Sequence, residues 1–295
     1  MANCYIFTGP EGIGKRLAAH AFVMGLYCEK GSACGECLPC QKFQHGTHPD
    51  VHFLSVLEDK KEISIDQVRA VQAAIQMKPV EGRYKMVLIN NAEDLSDGAE
   101  NSALKSLEEP PPATHFILIT ARPHLLLPTI VSRCQRIPFS PPSAGEAIPI
   151  IQEKAKVTAK MASFLYSASS GSIGLALSIP PEAVDEAVAF LKKMWEKILP
   201  SEIISASERW GKDSARQSAI LAVINSIYRD ILVCKTSGRR PSTGLIDSEM
   251  SVQAARLSTI AIQKKISMLA SAQEDVEATY NKQLMFEQLL FGLAA

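Results

Sequence analysis

The 295-residue chain is long enough for about two domains of typical size, or three small ones. Its 31 Lys and Arg balance 31 Asp and Glu, which argues against a protein that coats nucleic acid by bulk charge. Hydrophobic residues make up 46% and charged residues 21%, as in ordinary globular proteins with real cores. No apolar run approaches the roughly 18 residues of a membrane span, and residues 1–4 lack secretory-signal features. We therefore expect a cytoplasmic protein with no membrane partner.

The first 140 residues alternate between apolar strands and amphipathic helices. Predicted strands cover residues 5–8, 51–57, 86–89 and 116–119, and predicted helices cover 15–26, 64–75 and 96–109. Met86-Val87-Leu88-Ile89 is apolar throughout, which is typical of a strand buried in a parallel sheet. The alternation predicts an α/β domain over residues 1–140, with a parallel sheet covered on both faces.

The pattern changes after Pro138, where Pro141-Pro142-Ser143-Ala144-Gly145 reads as a linker. Short helical patterns follow as far as Pro180-Pro181, which predicts a small helical domain over residues 141–181. Long amphipathic patterns then predict a helical bundle over residues 182–295, with helices at 182–199, 215–233, 253–269 and 275–290. Within it, Arg239-Arg240 is interpreted as part of a solvated loop rather than as a DNA contact.

A phosphate-binding loop follows the first strand. Gly9-Pro10-Glu11-Gly12-Ile13-Gly14-Lys15 fits G-x-x-x-x-G-K between a strand and a helix, the context that makes this motif specific. Gly9, Gly12 and Gly14 allow close backbone approach to phosphates, and Lys15 would reach the outer phosphates.

The residues that normally bind Mg²⁺ beside such a loop are missing. Arg16 stands where Ser or Thr would offer a hydroxyl, and the buried strand 86–89 is followed by Asn90-Asn91 rather than by carboxylates. Glu93 and Asp94 lie further along, past the expected end of the strand. The pattern favours a loop retained for its shape over a working nucleotide hydrolase, which stays the alternative.

Four of the seven cysteines fall within thirteen residues, in a segment that we place at about 28–48. Clustered thiols in a reducing compartment indicate a metal site before they indicate disulfides, and the C-x₂-C spacings suit tetrahedral zinc; the four are Cys28, Cys34, Cys37 and Cys40. His45 and His48 could compete for one position, and an iron–sulfur cluster is the alternative. Cys4, Cys134 and Cys234 are interpreted as small buried hydrophobes.

Several motifs resemble those of the bacterial clamp-loader AAA+ subunits, and they occur in the right order over nearly the whole chain. They are residues 101–111 (NSALKSLEEPP), the sensor strand 116–120, residues 130–134 (IVSRC), the four cysteines followed by residues 45–50 (HGTHPD), and Asn281, Leu284, Glu287 and Leu290 near the end. The resemblance implies an AAA+ P-loop domain with a parallel sheet and a zinc-binding insertion, a small helical lid domain over 141–181, and an all-α collar domain over 182–295.

The family contains an ATP-hydrolysing motor type (gamma/tau) and a non-hydrolysing type (delta-prime). The motor type carries a hydroxyl after the loop Lys, an Asp-Glu pair after the buried strand and an Arg in its lid motif, whereas this chain has Arg16, Asn90-Asn91 and Gly174. The chain also reaches its first strand without the N-terminal segment that helps enclose adenine in the family. The resemblance therefore implies the non-hydrolysing type, with weak or absent ATP or ADP binding.

In the family, the arginine of the SRC segment acts on the ATP of a neighbouring subunit, which makes Arg133 the expected catalytic residue in trans. The alternative is an arginine that only caps a helix or pairs with a carboxylate. The resemblance also implies a structural zinc ion on the four cysteines and membership of the DNA polymerase III complex. The implied partners are gamma/tau and delta subunits, the sliding clamp and primer-template DNA. The remaining alternatives are an ATP-hydrolysing motor and a zinc-bearing DNA-binding module unrelated to ATP.

Overall fold

The computed structural model describes residues 2–238, 245–278 and 281–294, so Arg239-Arg240 lies outside the described residues. The chain divides into two units, Met1–Ser140 and Pro141–Ala295. The division falls where the sequence predicts the end of the α/β domain. The further division of the second unit into lid and collar stays a prediction.

The first unit is built on a five-stranded sheet in the order β2-β3-β4-β1-β5, with every neighbouring pair parallel. Its elements are β1 (Cys4–Thr8), α1 (Lys15–Tyr27), α2 (Leu38–Gln44), β2 (Val51–Leu54), α3 (Ile65–Ile75), β3 (Lys85–Ile89), α4 (Asp97–Glu108), β4 (Thr114–Thr120), α5 (Pro128–Arg133) and β5 (Gln135–Pro138). This arrangement confirms the predicted α/β class with a parallel sheet.

Both faces of the sheet are covered, as a parallel sheet requires. Ala19 and Val23 of α1 pack with Phe43 of α2 in the core on one face. Val68 of α3 and Leu107 of α4 contribute to the core on the other. Every residue of β3 and β4 is buried, which is why these strands are the clearest apolar runs in the sequence.

Local signals in the sequence set several element boundaries. Ser64 and Gln67 form a capping box at the start of α3, and the Ser96 side chain accepts from the Ala99 N–H at the start of α4. Proline at position 110 follows the end of α4. β5 and α2 have no counterpart in the sequence prediction, because β5 is largely exposed and short and α2 lies inside the cysteine-rich segment.

Cys4 and Cys134 are joined by a disulfide, with their Cα atoms 4.6 Å apart. Cys4 opens β1 and Cys134 directly follows α5. The interpretation of these two cysteines as small buried hydrophobes did not include this bond; Cys4 is buried, Cys134 is half-buried, and both pack in one of the two cores. They lie 130 positions apart, so only the fold brings them together.

The second unit is helical throughout its described part. Its helices are α6 (Ala144–Ala155), α7 (Ala159–Ala168), α8 (Ile173–Ser178), α9 (Pro181–Glu196), α10 (Pro200–Trp210), α11 (Ser214–Ser237), α12 (Asp247–Arg256), α13 (Thr259–Ala278) and α14 (Lys282–Ala294). One core runs through all of them, from Ala147 to Leu293. The predicted helices 253–269 and 275–290 were placed wrongly, since α13 crosses the gap between them.

Part of α11, Arg216–Ser237, is long and apolar enough to span a membrane by length and composition alone, and the sequence prediction missed this property. More than half of the 18-residue apolar window within it is buried inside the protein. Its buried side chains, including Ile224, Ile227 and Ile231, belong to the helical core. The helix therefore has the burial expected of a core helix.

Candidate functional site

The phosphate loop joins β1 to α1 and has the backbone that its glycines predict. Gly9, Gly12 and Gly14 have φ angles of 143°, 70° and 95°, a region that side chains with a Cβ rarely adopt. A Cβ on Gly9 would also lie 2.4 Å from the carbonyl oxygen of Phe139. The loop thus keeps a shape that can receive phosphate at the N-terminus of α1.

Lys15 is turned back onto its own loop. Its ammonium donates to the carbonyl oxygens of Gly9 and Pro10, each at 2.6 Å, and the residue is 6% exposed. Burial lowers the pKa of Lys15, while the nearby carboxylates of Glu93 and Glu11 act in the opposite direction. A phosphate would have to compete with these carbonyl oxygens for the ammonium group.

Arg16 and Asn90, which stand where Mg²⁺ ligands would be expected, line one cavity of about 570 Å³ beside α1. His20, Phe43 and Phe53 form an aromatic cluster in its wall. Burial, and to a smaller extent the charge of Arg16, lowers the pKa of His20. Neither Arg16 nor Asn90 offers an anionic oxygen, the ligand that Mg²⁺ prefers.

The carboxylates that follow β3 are engaged elsewhere. One carboxylate oxygen of Glu93 accepts from the Ala121 N–H at 3.1 Å and lies 3.7 Å from Nε of Arg122. Asp94 lies 3.9 Å from Nη2 of the same arginine. These contacts connect Asp94 and one oxygen of Glu93 to the residues after β4, while Oε2 of Glu93 is buried without a hydrogen-bond partner among the described residues.

Cys28, Cys34, Cys37 and Cys40 converge between the end of α1 and the start of α2, and their sulfur atoms all lie within 4.8 Å of one another. A tetrahedral zinc ion with Zn–S bonds of about 2.3 Å separates its sulfur ligands by roughly 3.8 Å. The four thiols therefore fit a single tetrahedral metal ion with only a small contraction. Gly31 and Gly35, with φ of 66° and 76°, turn the connecting loop.

The surroundings of the thiols change their pKa values in opposite directions. The backbone N–H of Cys34 donates to Cys28 Sγ at 3.4 Å, and this contact, with other N–H donors, lowers the pKa of Cys28 to about 5. Burial raises the pKa of Cys40 to about 12. His45 and His48, the competing ligands, contact the Gln41 carbonyl oxygen and the Asp50 N–H instead. The cluster thus consists of the four cysteines.

Arg133 is the last residue of the short helix α5, with 35% of its side chain exposed. Its Nη2 donates to Oε1 of Glu108 at 2.6 Å, and its Nη1 donates to the Thr129 carbonyl oxygen at 2.8 Å. A carboxylate partner was the predicted alternative to a finger, and in the structure that partner is Glu108. The sequence feature that could have identified Glu108 is its position in the motif at residues 101–111.

Arg136 has a contact that the sequence analysis missed. Its Nε donates to Oγ1 of Thr8 at 3.1 Å, directly before the phosphate loop. The contact depends on the pairing of β1 with β5, in which Ile6 lies opposite Arg136. The short, exposed β5 gave no signal from which this could have been found.

Comparison with known proteins identifies relatives among the subunits of DNA polymerase III. The family model described as "DNA polymerase III, delta subunit" matches residues 1–143. "DNA polymerase III subunit delta'" of Pseudomonas aeruginosa is 35% identical over 215 residues, covering 71% of this chain and 66% of that protein. The Bacillus subtilis protein of the same name is 28% identical over 305 residues, covering 99% of this chain and 91% of that protein.

A more distant relative is "DNA polymerase III subunit tau" of Bacillus subtilis, 26% identical over 325 residues. The match covers 97% of this chain and 56% of tau. The chain thus spans about two thirds of the Pseudomonas relative and about half of tau. On the family match and the repeated delta-prime relatives, the chain belongs to the delta-prime subunit family of DNA polymerase III.

Proposed function

We propose that this chain is a non-hydrolysing clamp-loader subunit that supplies Arg133 in trans to the ATP site of a neighbouring motor subunit. The observation that carries the proposal is an asymmetry within one domain. Arg16, in α1 after the phosphate loop, and Asn90, after β3, stand where Mg²⁺ ligands are expected, while α5 carries an exposed arginine. A domain without these Mg²⁺ ligands is not expected to hydrolyse ATP itself. We therefore expect its exposed arginine to act on ATP bound to another subunit.

An arginine finger neutralises charge that develops on the transferred phosphoryl group. In other phosphoryl-transfer systems a finger supplied in trans increases the rate by about 10³–10⁵, or roughly 4–7 kcal/mol. A surface ion pair such as the one between Arg133 and Glu108 is worth only about 0–1 kcal/mol. The pair therefore leaves Arg133 available to a stronger anionic ligand on a partner.

For the cysteine cluster we propose one structural zinc ion per chain. Four thiolates complete a tetrahedral shell and leave no open position for a substrate or water, which is the pattern of structural zinc sites. Native mass spectrometry should show one zinc per chain. Absence of metal, or the visible absorption of an iron–sulfur cluster, would contradict this proposal.

The proposed setting is the cytoplasmic DNA polymerase III clamp loader. The partners would be gamma/tau and delta subunits, and the assembled complex would place the sliding clamp on primer-template DNA. The names of the delta-prime and tau relatives support this setting. In it, the chain would contribute to catalysis without hydrolysing ATP itself.

The test is DNA-stimulated ATP turnover by the cognate complex, reconstituted with wild-type chain or with Arg133→Ala. The chain alone serves as the blank. We expect a silent blank and a loss of at least about tenfold in the mutant complex, a conservative bound on a finger's contribution. Equal turnover of the two complexes would mean that Arg133 is structural.

The second candidate is an ATP-hydrolysing motor, favoured by the intact glycine loop, by Lys15 and by the relationship to tau. It predicts hydrolysis by the chain alone that is abolished by Lys15→Ala. A zinc-bearing DNA-binding module would instead show DNA affinity that is lost on zinc removal. In that case Arg133→Ala would affect no ATPase.

A further inference from the structure

Arg133 has two partners in its own chain, and they hold its guanidinium from different elements. The Thr129 carbonyl oxygen comes from the same helix, one turn earlier, at 2.8 Å. The carboxylate of Glu108 comes from the last residue of α4, at 2.6 Å. Because α4 and α5 each supply one of these contacts, the guanidinium of Arg133 is held in one defined orientation.

The end of α4 is a favourable place for this cation. The C-terminus of a helix carries partial negative charge, and Glu108 and Glu109 add two carboxylates there. Among the ion pairs of the described residues, Arg133 pairs with Glu108 alone. Glu109 is the helix cap and carries the same charge one position further on.

The two contacts leave part of the guanidinium available. An arginine has five N–H donors in a rigid planar fork, and the contacts to Thr129 and Glu108 use one on each terminal nitrogen. The remaining donors can contact a phosphate without release of Glu108. The carboxylate can therefore stay in place while Arg133 acts.

We propose that Glu108 is the positioning residue for Arg133, fixing its guanidinium in the orientation that meets the neighbouring subunit's phosphates. This inference rests on the proposed function of Arg133 as a finger. Without Glu108, the flexible side chain is held only by its own helix and must be ordered when the transition state forms. The entropy lost in that ordering lowers the turnover number and does not change the affinity for ATP.

The first experiment uses the reconstituted complex and measures kcat and KM for DNA-stimulated ATP turnover. For Glu108→Gln we expect kcat to fall about three- to tenfold and KM to stay within twofold. A change of this size corresponds to the rotamer entropy that one long side chain regains when it is released. Glu108→Asp should recover part of the loss. Glu109→Gln removes the same charge from the same helix end and should match wild type.

A double variant shows whether Glu108 acts through Arg133. Glu108→Gln combined with Arg133→Ala should be no slower than Arg133→Ala alone, because the positioned group is then absent. A further loss in the double variant would overturn the proposal. So would equal effects of Glu108→Gln and Glu109→Gln in a complex that Arg133→Ala slows.

A second measurement uses the chain alone and needs no ATPase. Relaxation of the Arg133 Nε–H group by ¹⁵N NMR should report a rigid side chain in wild type and in Glu109→Gln, and a flexible one in Glu108→Gln. No change in Glu108→Gln would overturn the positioning role. If Arg133 is rigid through Glu108 but Arg133→Ala leaves turnover unchanged, the finger itself fails. The two failures are thus distinguishable.

Discussion

The ammonium group of Lys15 lies 2.6 Å from the carbonyl oxygen of Gly9, so the cation of the phosphate loop is satisfied by the loop itself. Pro10 supplies a second carbonyl oxygen at the same distance. Next to it, Arg16 and Asn90, which by sequence stand where Mg²⁺ ligands are expected, line one cavity. The loop has the backbone of a phosphate loop, and its cation is bonded to main-chain oxygens.

This arrangement predicts that any nucleotide binding by the chain is independent of Mg²⁺. Calorimetry with ADP should give dissociation constants in Mg²⁺ and in EDTA that agree within about twofold, because neither Arg16 nor Asn90 offers an anionic oxygen to the metal. Lys15→Ala should have a larger dissociation constant for ADP than the wild type. Combining Arg16→Thr with Asn90→Asp restores a hydroxyl and a carboxylate and serves as the positive control. Tenfold tighter binding by wild type in Mg²⁺ would contradict the prediction.

Asp50 should be a major stabilising residue of the first unit. Its fully buried carboxylate accepts the backbone N–H groups of Val80, Glu81 and Gly82 at 2.7, 2.8 and 2.8 Å. Burial alone would raise the pKa of Asp50, but these donors together hold it below its ordinary value. Asp50→Asn should lower the free energy of unfolding at pH 7 by about 2–3 kcal/mol, since an amide cannot accept all three bonds as an anion does.

The sign of the pH dependence follows from the lowered pKa. The carboxylate's contribution is fully present above the ordinary pKa of an aspartate, 3.8, and is lost as the pH falls through the lower native value. Urea unfolding of wild type and Asp50→Asn should therefore differ at pH 7 and converge towards pH 2. A difference that is the same at both pH values would show that the charge is not the cause.

The disulfide between Cys4 and Cys134 predicts a redox-dependent stability. Closing a loop between residues 130 positions apart restricts the unfolded chain, and such bonds typically contribute about 2–4 kcal/mol. Oxidised protein should melt at a higher temperature than protein treated with dithiothreitol. Cys4→Ala should remove this dependence, whereas Cys234→Ala should keep it. Identical melting of oxidised and reduced wild type would contradict the prediction.

Asp230 on α11 predicts a stabilising substitution. Burial raises its pKa from 3.8 to about 6, Asp247 adds to the increase, and Arg229 opposes it. Its Oδ2 is buried without a hydrogen-bond partner among the described residues. The charged form is therefore disfavoured in the folded state, and stability is lost as the pH rises from about 4 to about 6.

Asp230→Asn should raise the free energy of unfolding by about 2 kcal/mol at pH 7.5, because a separation of roughly two pKa units is worth about 3 kcal/mol and solvent screening of the partly exposed group reduces this. At pH 4 the two proteins should unfold at nearly the same urea concentration. A lower free energy of unfolding for Asp230→Asn than for the wild type at pH 7.5 would contradict the assignment of Asp230 as a buried carboxylate that destabilises the fold.

The sequence by itself determined the features that follow from patterns of residues along the chain. The parallel sheet followed from the apolar runs at 86–89 and 116–119, the phosphate loop from its glycines, and the metal cluster from cysteines within thirteen residues. For the phosphate loop and the metal cluster the spacing along the chain fixes the geometry, because short loops leave few ways for the residues to meet. For the sheet, the alternation of strands with helices indicates parallel pairing.

Only the tertiary structure decided the contacts between distant segments. The Cys4–Cys134 disulfide, the Arg136–Thr8 hydrogen bond and the Arg133–Glu108 ion pair join residues separated by 130, 128 and 25 positions. Such contacts depend on strand order and on the packing of α4 beside α5, which periodicity within one element does not specify. The sequence therefore identified Arg133 as a candidate, while the fold supplied the carboxylate that gives its side chain a direction.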